Sequence, residues 1–245
     1  MFVSRRRLLR NLCALAAPPL LAQNAAPPGR APDRPTPINE PDWRRRIGEH
    51  QSQLTNSRYD VVFIGDSLTE FWTAFGKITW QTQLVPLKSV NCGITADRTE
   101  HILWRIQKYY DFHRAQPKVF VLLMGTNNLA MDPPDQPQDV ARAILSAARY
   151  LATKSPPAKV LILTLPPNRP EPNSPLRQRL QQTNALLEAE KLPPGLSVLP
   201  IYSTFVDAED RWLPGMTVDG THFSASGYAK LAEILVPKIK DLLRP

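Results

Sequence analysis

Four short stretches of this chain carry side chains able to do chemistry. The first is Gly65-Asp66-Ser67-Leu68-Thr69-Glu70, which follows directly on an apolar run. A serine at the junction of a strand and a helix holds its hydroxyl at a sheet edge, near helix N–H groups that can stabilise an oxyanion. The same spacing, Ser67-x-x-Glu70, also fits a capping box in which the serine only caps a helix. Asp66 suits a structural hydrogen-bonding role at that helix start, with metal ligation as the alternative. Thr69 stands where an α/β-hydrolase elbow would carry its second glycine, so that motif is not formed.

The second stretch is Asn91-Cys92-Gly93. Gly93 leaves a backbone N–H open to close approach, although a turn glycine is the ordinary role. Cys92 reads as a small buried apolar residue, since no basic neighbour in sequence lowers its thiol. In the third, Gly125-Thr126-Asn127-Asn128, the Asn127 amide could donate to a developing oxyanion, or the stretch could be a plain turn. The fourth is Asp219-Gly220-Thr221-His222. Histidine takes a proton near neutral pH, and a carboxylate fixes its tautomer. His50 and His101 lie on helix-like stretches and His113 in a loop, so their claims are weaker.

These residues need a scaffold, and the apolar pattern supplies one. Short runs rich in Val, Ile and Leu occur at Tyr59 to Ile64, Val85 to Asn91, Lys118 to Met124, Lys159 to Leu165 and Leu196 to Ile201. Their continuity suits strands buried on both faces. Helix-like segments run from about Pro41 to Leu54, Thr99 to Tyr109, Gln136 to Leu151, Leu176 to Lys191 and Ala225 to Leu243. Strand then helix, repeated, predicts an α/β domain with a parallel sheet and helices on both sides. Ligands then belong beyond the carboxyl ends of the strands, where Ser67, Gly93 and Asn127 fall.

Ahead of this domain, Ser4-Arg5-Arg6-Arg7-Leu8-Leu9-Arg10 precedes an apolar run from Leu12 to Leu21. A basic start, a short apolar core and small residues make residues 1–25 an export signal, expected to direct the chain to the periplasm or outside. The Arg pattern resembles the twin-arginine signal. The run is too short for a stable membrane span and contains Pro18-Pro19. Removing residues 1–25 takes the net charge from +8 to +4, because that segment holds four Arg and no acid. With no basic stripe interleaved with aromatics in the rest, nucleic-acid binding is unsupported. Cys13 lies in the signal, so the mature chain has Cys92 alone and no internal disulfide. Residues 26–40 read as a Pro-rich linker, and residues 41–245 as one domain.

Taken together and in this order, the four stretches resemble the SGNH (GDSL) hydrolase family. Gly65-Asp66-Ser67-Leu68 matches its first block, Gly93 its second, Gly125-x-Asn127 its third and Asp219-x-x-His222 its last. Within the family, the chain resembles the platelet-activating-factor acetylhydrolase catalytic-subunit type, through Val61 to Ser67, His101-Ile102-Leu103-Trp104-Arg105, Gly125 to Asn128 and Pro172 to Arg177. The export signal departs from that intracellular group.

The resemblance implies a flavodoxin-like, three-layer α/β/α sandwich on a five-stranded parallel sheet. It also implies a serine esterase with Ser67 as nucleophile, His222 as general base and then acid, and Asp219 orienting His222. The Ser67 N–H, the Gly93 N–H and the Asn127 side chain would form the oxyanion hole. It implies a small-molecule ester substrate with a small acyl group, acetyl first, and neither metal nor organic cofactor. The resembled group pairs, so a homodimer stays open. Phe71, Trp72 and Phe75 would either line the site or pack their helix. Two rivals remain: a metal-dependent phosphatase using Asp66, Asp219 and His222, and a non-catalytic flavodoxin-like module binding an anion after Ser67.

Overall fold

A computed structural model describes residues 31–244. The export signal expected at residues 1–25 lies outside the described residues. The described part of the Pro-rich stretch, 31–40, contains no helix or strand, yet it lies on the domain rather than standing off it. The Thr36 N–H donates to Glu100 O at 3.0 Å, and the Thr99 hydroxyl donates to Pro32 O at 2.8 Å.

The elements follow in the order α1 (Pro41–Asn56), β1 (Val61–Gly65), α2 (Ser67–Glu70), α3 (Lys77–Thr79), β2 (Ser89–Gly93), α4 (Thr99–Trp104), β3 (Val119–Leu123), α5 (Thr126–Ala130), α6 (Pro137–Lys154), β4 (Lys159–Leu163), α7 (Pro175–Ala189), β5 (Leu196–Leu199) and α8 (Ala225–Leu243). All strand pairs are parallel, in the order β2-β1-β3-β4-β5. Every residue of β1 and β3 is buried, so both faces of the sheet centre are covered. That is why their sequences read as continuous Val, Ile, Leu and Phe rather than alternating. One helical layer runs α4–α6–α7 in sequential contact, and α8 packs against α3 and β3. This is the α/β sandwich that the apolar runs predict.

Strand β2 begins later than its apolar composition suggests. Val85–Leu87 forms a 3-10 turn, and Lys88 closes it with φ of 51°. Pro86 supplies no N–H for a ladder, which favours the turn over strand extension. The sheet order changes direction around β1, with β2 on one side and β3 on the other. A crevice forms at such a reversal beyond the strand ends. The ends of β1, β2 and β3 are in register there: Gly65 pairs with Gly93 on one side and with Leu123 on the other.

Candidate active site

The chain leaves β1 at Gly65 and turns into α2 at once. Asp66 is the residue that caps this helix, its Oδ1 accepting the Leu68 N–H at 2.9 Å. Burial pushes the Asp66 carboxyl up to about 7, although the Leu68 N–H pulls the other way. Because Asp66 takes the capping position, the Ser67 side chain is free of it. Ser67 is 6% exposed, and its Oγ lies 2.9 Å from His222 Nε2. Glu70, which a capping box would turn back on Ser67, instead accepts from the Thr95 N–H and hydroxyl and from Arg46.

His222 arrives on a tightly bonded loop before α8. The Thr217 hydroxyl oxygen accepts the Gly220 N–H and donates to His222 O, each at 2.9 Å. The Trp212 indole donates to Gly220 O at 3.1 Å, and the Thr221 hydroxyl donates to Asn168 Oδ1 at 2.9 Å. Within this loop Asp219 faces the ring: its Oδ2 lies 2.7 Å from His222 Nδ1, and its Oδ1 accepts the His222 N–H at 2.8 Å. Burial works to raise the Asp219 carboxyl, but the His222 and Thr221 bonds prevail and hold it below its ordinary value. With a proton on Nδ1 facing Asp219, Nε2 remains an acceptor for the Ser67 hydroxyl. Tyr228 of α8 ties this region to the helix that carries Ser67, donating to Leu68 O at 2.9 Å.

The candidate oxyanion donors lie at or just after three neighbouring strand ends. Ser67 opens α2, so its N–H is among the amides that no helical carbonyl takes. Gly93 ends β2, and a Cβ there would sit 2.2 Å from Glu70 N, so only glycine lets α2 approach this closely. Its N–H donates to Asn91 Oδ1 at 2.9 Å in this structure. Asn127 enters after Gly125, whose φ of 118° suits glycine and turns the chain sharply out of β3. The Asn127 Nδ2 donates to Asp97 O at 2.8 Å, which leaves the second N–H of that amide for another acceptor.

The three aromatic residues after Ser67 separate. Trp72 is buried, tilted against Tyr228 with ring centres 4.5 Å apart, and belongs to the core. Phe71 lies against the His222 ring at 5.0 Å, and Phe75, 44% exposed, packs on Phe71 at 5.2 Å. Cys92 is buried and its thiol is pushed up to about 12 by desolvation, consistent with a packing role. Among the described residues no group of three or more His, Cys, Asp or Glu gathers closely enough to hold a metal ion, and no helix is long and apolar enough to cross a membrane. Asp97 and Arg105, both fully buried beneath these strand ends, received no role from the sequence. Their proximity to the site depends on tertiary placement; Arg105 lies in the His101 to Arg105 stretch that carries the family resemblance, and Asp97 lies in none of the matched stretches.

Residues 63–230 match the GDSL-like lipase/acylhydrolase family model. Over 203 residues the chain is 32% identical to platelet-activating factor acetylhydrolase IB subunit alpha2 of Gallus gallus, covering 82% of this chain and 85% of that protein. The Rattus norvegicus protein of that name is 30% identical over 226 residues, covering 91% and 95%. Among solved structures, a GDSL-like lipase from Bacteroides thetaiotaomicron has a TM-score of 0.66 at 22% identity, covering 81% of this chain and 97% of that one. An acetyl-xylooligosaccharide esterase from Geobacillus has a TM-score of 0.57 at 15% identity, covering 76% and 96%. These two likenesses show a shared fold. The family match spans the Gly65-Asp66-Ser67 stretch, the strand-end residues and the Asp-x-x-His loop: the chain belongs to the GDSL-like lipase/acylhydrolase family and is a carboxylic ester hydrolase.

Proposed function

We propose that the chain is a serine esterase that cleaves small-acyl carboxylic esters, acetyl esters first, through an acyl-enzyme. The observation that carries this reading is the continuous line from Ser67 Oγ to His222 Nε2 at 2.9 Å and from His222 Nδ1 to Asp219 Oδ2 at 2.7 Å. Ser67 Oγ attacks the ester carbonyl carbon while its proton passes to His222 Nε2, and Asp219 stabilises the imidazolium that results. The carbonyl oxygen gains the negative charge and is met by the Ser67 N–H, the Asn127 Nδ2–H and the Gly93 N–H. For Gly93 to join, its N–H must be shared with or released from Asn91 Oδ1. Collapse of the intermediate breaks the C–O bond, and the departing alkoxide takes the proton from His222. Water then attacks the acyl-serine by the same route and frees the acid.

Support for a small acyl group comes from relatives named as acetylhydrolases. Phe71 and Phe75 would flank the side of the site next to His222. The metal-dependent phosphatase reading needs Asp66 as a ligand, whereas Asp66 is buried and committed to the Leu68 N–H. The test is a screen of the purified protein on p-nitrophenyl esters of rising chain length beside acetylated sugars. The expected optimum is acetate, and a preference for long acyl chains would overturn that assignment.

Export by the twin-arginine route is the matching proposal for location, resting on Ser4 to Arg10 and the apolar run after it. A fusion carrying residues 1–30 should reach the periplasm, and the Arg5→Lys, Arg6→Lys pair should block it. Unaltered export of that double variant would remove the twin-arginine route.

A further inference from the structure

The charged groups buried beneath the site are not used in the reaction sequence above, yet they bond backbone carbonyls beside two arms of the proposed oxyanion hole and the Asn127 amide of the third. Arg105 has no solvent exposure and sits at the end of α4. Its Nη1 donates to Cys92 O at 2.7 Å and to the Tyr110 hydroxyl at 2.8 Å, and its Nη2 donates to Gly65 O at 3.0 Å. The same Nη2 lies 2.8 Å from Asp97 Oδ2. Asp97 is equally buried, and its Oδ1 accepts the Trp43 indole N–H at 2.8 Å.

Three of the carbonyls in this network lie close to a candidate donor: Cys92 O precedes Gly93, Gly65 O lies two residues before Ser67, and Asp97 O accepts from Asn127. The Cys92 carbonyl and the Gly93 N–H are opposite ends of one planar trans peptide. Holding the carbonyl toward Arg105 therefore turns the Gly93 N–H away from it. Gly65 O belongs to the peptide that leads into Asp66 and Ser67, so the same guanidinium fixes the exit of β1. Asp97 reaches the third donor through its main chain, where its carbonyl accepts one N–H of Asn127 at 2.8 Å. That bond sets the amide so that nitrogen, not oxygen, lies on the Asp97 side. The planar, multi-donor guanidinium is the side chain able to bond two carbonyls and a carboxylate together, a geometry lysine cannot copy.

We propose that the buried Arg105–Asp97 pair positions the oxyanion hole, with Arg105 clamping the ends of β1 and β2 and Asp97 linking that clamp to Asn127. The proposal rests on the oxyanion-hole reading above. Neither residue touches substrate; both act through the groups that do. Preorganised donors matter most where charge develops in the transition state, so their misplacement lowers kcat more than it raises KM.

The experiment is a double-mutant cycle on the full chain with p-nitrophenyl acetate, comparing Arg105→Lys and Asp97→Asn in the wild-type and Asn127→Ala backgrounds. Thermal midpoint and circular dichroism are recorded for each. In the wild-type background each change should lower kcat by about 10- to 100-fold with KM within about 3-fold, the pattern of a displaced oxyanion donor. In the Asn127→Ala background the same changes should cost less than about half as much on a logarithmic scale, because residues acting as a unit are not additive. Should either variant fail to fold, Trp43→Phe, which removes only the indole bond to Asp97, takes its place in the cycle. Equal fold-losses in the two backgrounds, or a lower thermal midpoint with kcat unchanged, would overturn the positioning role while leaving the hole intact. An Asn127→Ala enzyme with normal kcat would instead remove the hole itself, and the proposal with it.

Discussion

Ser67 Oγ and His222 Nε2 meet at 2.9 Å across 155 positions of sequence. The contact depends on two separate pieces of local chemistry. Asp66 takes over the helix cap, which releases the Ser67 hydroxyl, and the Thr217 to His222 turn presents the imidazole with its Nδ1 already facing Asp219. Loss of either piece would leave the other intact but idle.

On the proposed oxyanion-hole reading, Asn127→Ala is expected to lower kcat by roughly 10²- to 10³-fold with a smaller change in KM, since its second N–H would meet the charge that develops on the carbonyl oxygen. Steady-state kinetics on p-nitrophenyl acetate check this. A change confined to KM would move Asn127 into substrate binding.

Asp219→Asn removes both the acceptor at His222 Nδ1 and the negative charge beside the imidazolium. A loss on the order of 10⁴-fold in kcat is expected by comparison with other triads. The same logic sets the pH profile. His222 can accept the Ser67 proton only when neutral, so kcat/KM should fall on the acid side. Measured with and without EDTA, the two profiles should superimpose. Activity lost to the chelator and restored by a divalent ion would favour the metal-dependent reading and leave Ser67 without a catalytic part.

Stability should respond to acid through His50. Its ring is buried, with Nδ1 2.8 Å from the Tyr110 hydroxyl. That hydroxyl accepts from Arg105 and so offers its own proton to His50. Burial first, then the Arg105 and Arg46 charges, push His50 from 6.5 down to about 3. A depressed histidine contributes stability above its unfolded value and loses it as pH falls through the folded value. Between pH 6.5 and about 3 the wild type should therefore lose stability relative to His50→Gln, by on the order of a few kcal/mol at the acid end. Urea denaturation of both proteins across this range is the check, and parallel curves would show that His50 titrates alike in the folded and unfolded chains.

What could be read in the sequence, and what could not, follows from how far each feature depends on tertiary contact. The strands β1 and β3 are legible because burial on both faces demands unbroken apolar residues, and Ser67 and Asn127 stand out as candidates because they follow shortly after those runs. Val85 and Leu87 are just as apolar, but Pro86 between them turns the chain, so β2 starts at Ser89. Phe71 and Trp72 are adjacent and similar in type, yet one faces His222 and the other the core. Short helical turns from Phe71 onward give too little periodicity to separate them. Arg105 and Asp97 are the extreme case: a charged residue reads as surface until the fold brings its partners around it.

Covalent capture of Ser67 tests its proposed role as nucleophile most directly. The full chain is treated with a p-nitrophenyl phosphonate, released p-nitrophenol is counted, and the adduct is located by peptide mass spectrometry. One equivalent of p-nitrophenol, an adduct on Ser67 and parallel loss of esterase activity are expected. Ser67→Ala should form no adduct and should lose activity by on the order of 10⁴-fold or more while keeping its fold, since Asp66 caps the helix. An adduct on another residue, or full esterase activity in Ser67→Ala, would contradict that role.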